Sequence, residues 1–301
     1  MSDRVVTASP TPLAGDGPLV DVHAHFFHAR CGRADWEARN DSRLRAGGRI
    51  GISVHVGSIL GSWGHRSPVY FPSPDDVTLG NDEMLALQRR EASRVRSYVV
   101  VNPNHTQHAL EEIERCVSAG AIGLKLAASR RADDSLLDPI IDSAERFGLP
   151  VLHHIWQHRR RDWPNQEASD AIELGRLATR HPRVHFILAH IGGGGDWAHT
   201  FPAVEDLANI VLDLSGSGVD RGMLDDAMRA VGTQRLVWGC DITMETGLAK
   251  LRALEQIGLS AHQIADVRWR NAGRLFGDGA LPLSKESVTT TRSEVVAGGA
   301  R

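Results

Sequence analysis

The chain has 301 residues, and its 34 Lys and Arg against 37 Asp and Glu give a formal charge of -3. That balance excludes a dedicated nucleic-acid binder, whose footprint is a clustered excess of base. Hydrophobic residues at 42% and charged residues at 24% exclude a disordered chain and allow a sizeable core.

Residues 1–18 lack the basic start and apolar centre of a signal peptide, so they read as an extension ahead of the fold, and the protein as cytoplasmic. Short apolar runs bounded by Gly, Pro or polar clusters then occur at 19–25, 50–56, 97–102, 121–127, 149–155, 184–190, 209–215 and 235–241. Most are continuously hydrophobic rather than alternating, as expected for parallel strands covered on both faces. A long excursion over 62–74, with Gly, Pro, Trp and Tyr, comes after the second run. A helix capped at both ends is expected over 106–120 on the spacing of Leu110, Ile113 and Val117. Another is expected over 134–147, where Leu136, Leu137, Ile140, Ile141, Ala144 and Phe147 recur behind an Asp cap and Gly148 closes the segment. Eight strands alternating with helices make right-handed βαβ units and favour a closed (β/α)8 barrel over 19–278. Residues 279–301, rich in Ser, Thr, Gly and Ala, read as a disordered tail. No run approaches the roughly 18 apolar residues of a membrane span. Cys31, Cys116 and Cys240 are odd in number and lack CxxC spacing, so they suggest neither a disulfide framework nor a cysteine zinc site.

Several histidines fall at strand ends, where barrels of this kind build their active sites. His23 and His25 are two apart on the first strand and share a face, separated by roughly 6.6 Å of rise. Two imidazoles so placed can converge on one metal, although an isolated His-x-His reads equally well as a hydrogen-bonded core pair. The fifth strand ends in His153 and His154, the sixth in His190 and the eighth in Asp241. His153 and His154 must point to opposite faces, so only one enters the barrel. Several such groups in one barrel mouth are best explained by mutual use, because each alone would be costly to bury.

These residues carry a resemblance. The chain resembles the amidohydrolase superfamily, in the branch that holds aminocarboxymuconate-semialdehyde decarboxylase and γ-resorcylate decarboxylase beside hydrolases of carboxylic and lactone substrates. The motifs are Asp-Val-His-Ala-His-Phe from Asp21, Ala-His-Ile-Gly-Gly-Gly from Ala189, Val-Leu-Asp-Leu-Ser-Gly from Val211, Gly-Cys-Asp from Gly239 and Asn-Ala-Gly-Arg-Leu-Phe-Gly from Asn271. They occur in the family's order over 20–277. The resemblance implies a distorted TIM barrel in which His23, His25, His154 and Asp241 hold one divalent metal. It selects His154 over His153 by its distance from the proline that opens the fifth strand, and it gives His190 an acid-base or substrate-polarising role. Departures are also present. The family's Gly-x-Lys-x-His-Pro becomes Gly-Leu-Lys-Leu-Ala-Ala from Gly123, His-Pro-Trp becomes His154-Ile155-Trp156, and Asp-x-Pro becomes Asp241-Ile242-Thr243.

The implied ligand set suits zinc first, with manganese, iron or cobalt also compatible. A metal-activated water would then hydrolyse a C–O or C–N bond of a small carbonyl or carboxylate compound, with Asp241 and His190 handling protons. The alternative is non-oxidative decarboxylation of a small unsaturated or aromatic acid, and a third reading is a metal-stabilised binding protein without catalysis. The loss of the histidine after Lys125 and of the proline after His154 places hydrolysis first. Lys125 is a candidate partner for a substrate carboxylate or a barrel acid, with a carboxylated, metal-bridging form less favoured than a mononuclear site. Arg159, Arg160 and Arg161 read as a solvated loop or as an anchor for an anionic substrate, and Trp156, with Trp63 and Tyr70, as packing or pocket wall. Gly192 to Gly195 lack the endings of phosphate and dinucleotide loops, and Ser215 and Ser217 lack the partners of a serine hydrolase. The expected partner is a small molecule, with no nucleic acid or membrane, and a homodimer is common among such barrels.

Overall fold

The computed structural model describes residues 17–31, 33–60, 70–155, 166–191, 197–216, 218, 221–242, 244–277 and 279–283. Eight parallel strands are arranged in chain order: β1 (Val20–His25), β2 (Val54–Ser58), β3 (Val95–Val101), β4 (Gly123–Leu126), β5 (Val151–His153), β6 (Phe186–Leu188), β7 (Ile210–Asp213) and β8 (Leu236–Val237). Helices α1 (Trp36–Ile50), α2 (Pro74–Arg90), α3 (Thr106–Ser118), α4 (Asp138–Phe147), α5 (Ala171–Arg180), α6 (Trp197–Val204) and α7 (Arg221–Val231) connect them, and α8 (Met244–Gln256) comes after the last strand. The ring closes through slender contacts, Val22 N donating to Trp238 O at 3.1 Å and a single parallel bridge between Ala24 and Asp241. This is the (β/α)8 barrel that the eight apolar runs imply.

Alternation along the strands sorts side chains into two cores. Val20, Val22, Val54, Val56, Tyr98, Leu152, Ile187, Val211 and Val237 fill the barrel, while Val99, Leu124, Leu126, Val151, Phe186, Leu188, Ile210 and Leu212 pack outward under the helices. Leu124 is fully buried in that outer layer, so Leu124→Ala is expected to destabilise the protein by about 2–5 kcal/mol, the range for emptying a buried leucine site. Denaturant melts would register the loss as a lower midpoint at unchanged slope.

Most strands are shorter than the apolar runs that announce them, because pairing stops where the chain turns into the mouth. The second run needs a larger correction. Its first residue, Ile50, ends α1, and Gly51 in the left-handed region at φ 86 closes that helix before β2 begins at Val54. The expected helix over 134–147 divides into a 3-10 turn, Ser135–Leu137, and α4. Asp134 caps the turn by accepting from Leu136 N, Pro139 lies in the first turn of α4, and Gly148 ends it at φ 64. The segment over 106–120 forms α3, but His105 at its start makes no side-chain cap. No described helix is long and apolar enough to cross a membrane.

Candidate active site

Strict alternation from Val20 and Val22 would send His23 to the outer face. A bulge prevents this. The pairing of β1 with β2 slips by one residue between Asp21 and Ala24, which turns the phase of the strand, so His23 and His25 enter the mouth while Asp21 stays outside.

Inside the mouth, His23 Nε2 and His25 Nε2 stand 3.1 Å apart, and Asp241 Oδ1 lies 3.3 Å from the latter and 3.9 Å from the former. A tetrahedral ion with bonds of about 2.1 Å would space its donors by about 3.4 Å. Nδ1 of His23 faces oxygens, Asp213 Oδ2 at 2.7 Å and Ser215 Oγ at 3.1 Å, which assigns the ring proton to Nδ1 and leaves Nε2 a lone pair. His25 Nδ1 has Ser58 Oγ at 3.2 Å. Burial pushes His23 well below the usual imidazole range, helped by the Lys125 ammonium, and pushes His25 down despite the pull of Asp241. Asp241 itself is raised by burial but brought well below the carboxylate range by His190, His25 and His23. Two neutral imidazoles and an ionised carboxylate are the donor set a divalent cation requires, and these three residues fit one.

His154 does not join that group. Its Nδ1 lies 3.0 Å from His190 Nε2, and His190 Nδ1 in turn lies 3.4 Å from Asp241 Oδ2. Burial lowers His154 well below the usual range and takes His190 down to about 4, against the pull of Asp241 on both. His190 and Asp241 are the non-glycine residues with positive φ among those described, at 63° and 55°. Such backbone costs energy and persists where packing imposes it. The ring of Tyr70 lies 5.2 Å from that of His154.

Lys125, the inward residue of β4, is fully buried with Nζ 3.0 Å from His23 Nε2, and burial brings it down to about 8 in spite of Asp241 and Asp213. The structure adds residues that carried no role in the sequence. Asp213, at the end of β7, orients His23, and burial raises its carboxyl to about 7 against Ser215 and Lys250. Ser215 donates to Asp213 Oδ2 and stands 3.5 Å from His190 Nδ1. Lys250 of α8 is buried behind the site and donates to Gly216 O at 2.6 Å. Asp213 occupies a polar strand end like His190 and was legible by the same rule; Lys250 gave no signal in the sequence. Gly239 has no room for a side chain, since a Cβ there would lie 2.6 Å from Asp213 Oδ1 and 2.9 Å from His23 Cβ.

His153 takes the opposite side from His154, as adjacency requires, and its Nδ1 donates to His154 O at 2.9 Å. Burial lowers it to about 4, with Lys125 adding to the effect and the carbonyl opposing it. A folded value below the unfolded 6.5 contributes stability above pH 6.5 that is lost as pH falls towards 4, on the order of 3 kcal/mol at 1.36 kcal/mol per unit. His153→Asn is expected to remove that dependence, so thermal melts of the two proteins should converge between pH 6.5 and 4.

Trp156, Arg159, Arg160 and Arg161 lie outside the described residues, as do Trp63, Gly192 to Gly195 and Ser217. His55 Nδ1 lies 2.9 Å from Asp21 Oδ2, on the outer face of β1.

Several known proteins share this architecture. The chain resembles 2,6-dihydroxybenzoate decarboxylase from Rhizobium at 18% identity and TM-score 0.70, over 86% of this chain and 98% of that one. It resembles dihydroxybenzoic acid decarboxylase from Polaromonas sp. JS666, solved with manganese and 2-nitroresorcinol, at 16% identity and TM-score 0.67, over 86% and 97%. It also resembles 5-carboxyvanillate decarboxylase from Sphingomonas paucimobilis at 16% identity and TM-score 0.63, over 86% and 98%. At these identities the likeness establishes a shared fold. No curated protein matches the chain in sequence. The amidohydrolase family profile matches residues 20–277, from the first residue of β1 to beyond α8. The chain therefore belongs to the amidohydrolase family.

Proposed function

We propose that this protein is a metal-dependent, non-oxidative decarboxylase of a small aromatic or unsaturated carboxylic acid. The observation that carries the reading is the buried Lys125 ammonium among neutral imidazoles, beside a convergent metal-donor set. An ammonium shielded from water beside the donor set favours an anionic substrate, and its attraction for a carboxylate is strengthened by burial. The likeness to three decarboxylases of oxygenated benzoic acids supports the same reading and moves the balance away from hydrolysis. His23, His25 and Asp241 would hold the ion, with His154 at the edge of the site beside His190. Zinc and manganese both suit the donors, and manganese is the ion in the Polaromonas structure. The bound ion supplies a Lewis acid for substrate oxygens.

The chain's own residues supply the rest. Lys125 orients the carboxylate. Decarboxylation breaks the C–CO2 bond, leaves its electron pair on carbon and consumes one proton there. His190, with Nδ1 3.4 Å from the ionised Asp241 Oδ2 and Nε2 3.0 Å from His154 Nδ1, is placed to pass a proton from solvent to that carbon, Asp241 steadying the imidazole as it does so.

Manganese- or zinc-loaded protein should release carbon dioxide from a panel of hydroxybenzoates and unsaturated acids. In D2O the product should carry one deuterium at the former carboxyl carbon. Solvent oxygen-18 entering a product carboxylate, with no carbon dioxide released, would overturn the assignment in favour of hydrolysis.

A further inference from the structure

We propose that Asp21, clamped by Arg43 and His55 on the outer face of β1, is a positioning residue that sets the backbone from which His23 and Asp241 reach the metal. Its carboxylate is fully buried and accepts from four donors. Oδ1 takes His23 N at 3.2 Å and Cys240 N at 2.9 Å; Oδ2 takes Arg43 Nη2 at 3.0 Å and His55 Nδ1 at 2.9 Å. The two backbone amides belong to opposite edges of the barrel's closing seam. One is that of the metal donor His23, at the bulge that turns it inward; the other immediately precedes Asp241, whose backbone is held at φ 55°.

Other direct links across this seam at the level of the site are the Val22–Trp238 hydrogen bond and the Ala24–Asp241 bridge. A shift of either edge would change the spacing of the donor atoms, so Asp21 Oδ1 acts as the gauge between them. Arg43 and His55 hold the gauge still. Arg43 arrives from α1 and His55 from β2, and Gly47 lets the helix close over the imidazole, since a Cβ there would lie 2.4 Å from His55 Nε2. A buried Asp–Arg pair contributes little net stability against an apolar replacement, so its use is better sought in geometry.

The inference rests on the metal centre proposed above, and its test is the affinity of the full chain for Mn2+ together with the visible spectrum of the Co2+-loaded protein. Asp21→Asn keeps one acceptor but turns an amide group towards Arg43 or His55. Arg43→Gln leaves Oδ1 untouched and loosens Oδ2. Each is expected to melt cooperatively yet bind Mn2+ about tenfold or more weakly, the lower range for residues that orient metal ligands. The Co2+ spectrum should change as well. Arg43→Lys, which keeps the cation, should recover most of the affinity. Glu112→Gln, which disturbs a buried carboxylate held by Asn81 and Arg115 elsewhere, should lower the melting temperature without moving Mn2+ affinity. If Asp21→Asn does not fold, Arg43→Gln decides alone. Folded variants with wild-type affinity and an unchanged Co2+ spectrum overturn this inference; a wild-type chain that takes up no Mn2+ overturns the metal centre and this inference together.

Discussion

Replacing His23 and His25 together by alanine is expected to strip the metal and leave a folded, inactive barrel. Both side chains end in the mouth, and their removal leaves Asp241 as the single remaining member of the donor group. Metal polarisation of a substrate oxygen contributes several kcal/mol to the transition state, and each 1.36 kcal/mol is a factor of ten, so turnover should fall on the order of 10³ to 10⁴-fold. Metal analysis after gel filtration should show loss of the bound ion. Circular dichroism should remain that of a barrel, since the apolar interior of Val20, Val54, Leu152, Ile187 and Val211 is untouched. Full metal retention by the double variant would remove these residues from the centre.

Changing His190 separates catalysis from binding. It lies outside the donor group, so the ion should stay, whereas its contacts to Asp241 and His154 are lost and turnover should fall about 10² to 10⁴-fold, the range for a positioned acid-base group. Asparagine is the better replacement, because it tolerates the left-handed backbone at φ 63° more readily than alanine does. Unchanged turnover in a metal-replete His190→Asn protein would point to the binding-protein reading instead.

Much of this was legible in the sequence because apolar content and polar strand ends are local signals. Eight hydrophobic runs located eight strands, and the polar residues that end them located the mouth. Contacts that depend on chain folding were not legible. The bulge in β1 leaves no mark in Val-Asp-Val-His-Ala-His, yet it decides which residues face inward. Ile50 looks like the start of a strand and ends a helix, because Gly51 can adopt a positive φ that stops α1 there. The 3.0 Å approach of His154 Nδ1 to His190 Nε2 is a matter of angstroms that motif spacing does not resolve. Lys250 lies in an amphipathic helix and becomes a buried neighbour of the site only when α8 packs against the barrel.

The seam between β8 and β1 has a consequence for how the protein is made. Donors from the first strand and from beyond the last must meet before an ion can be held, and they lie at opposite ends of the barrel sequence. Joining such distant segments carries the largest loop-closure cost and is expected late in folding. During synthesis the nascent chain would present His23 and His25 long before Asp241 leaves the ribosome, so metal capture would become a marker of completed assembly. A chain that stops short of β8 could bury much of its apolar surface and still hold no ion, which would make bound metal a sensitive measure of whether the ring has shut.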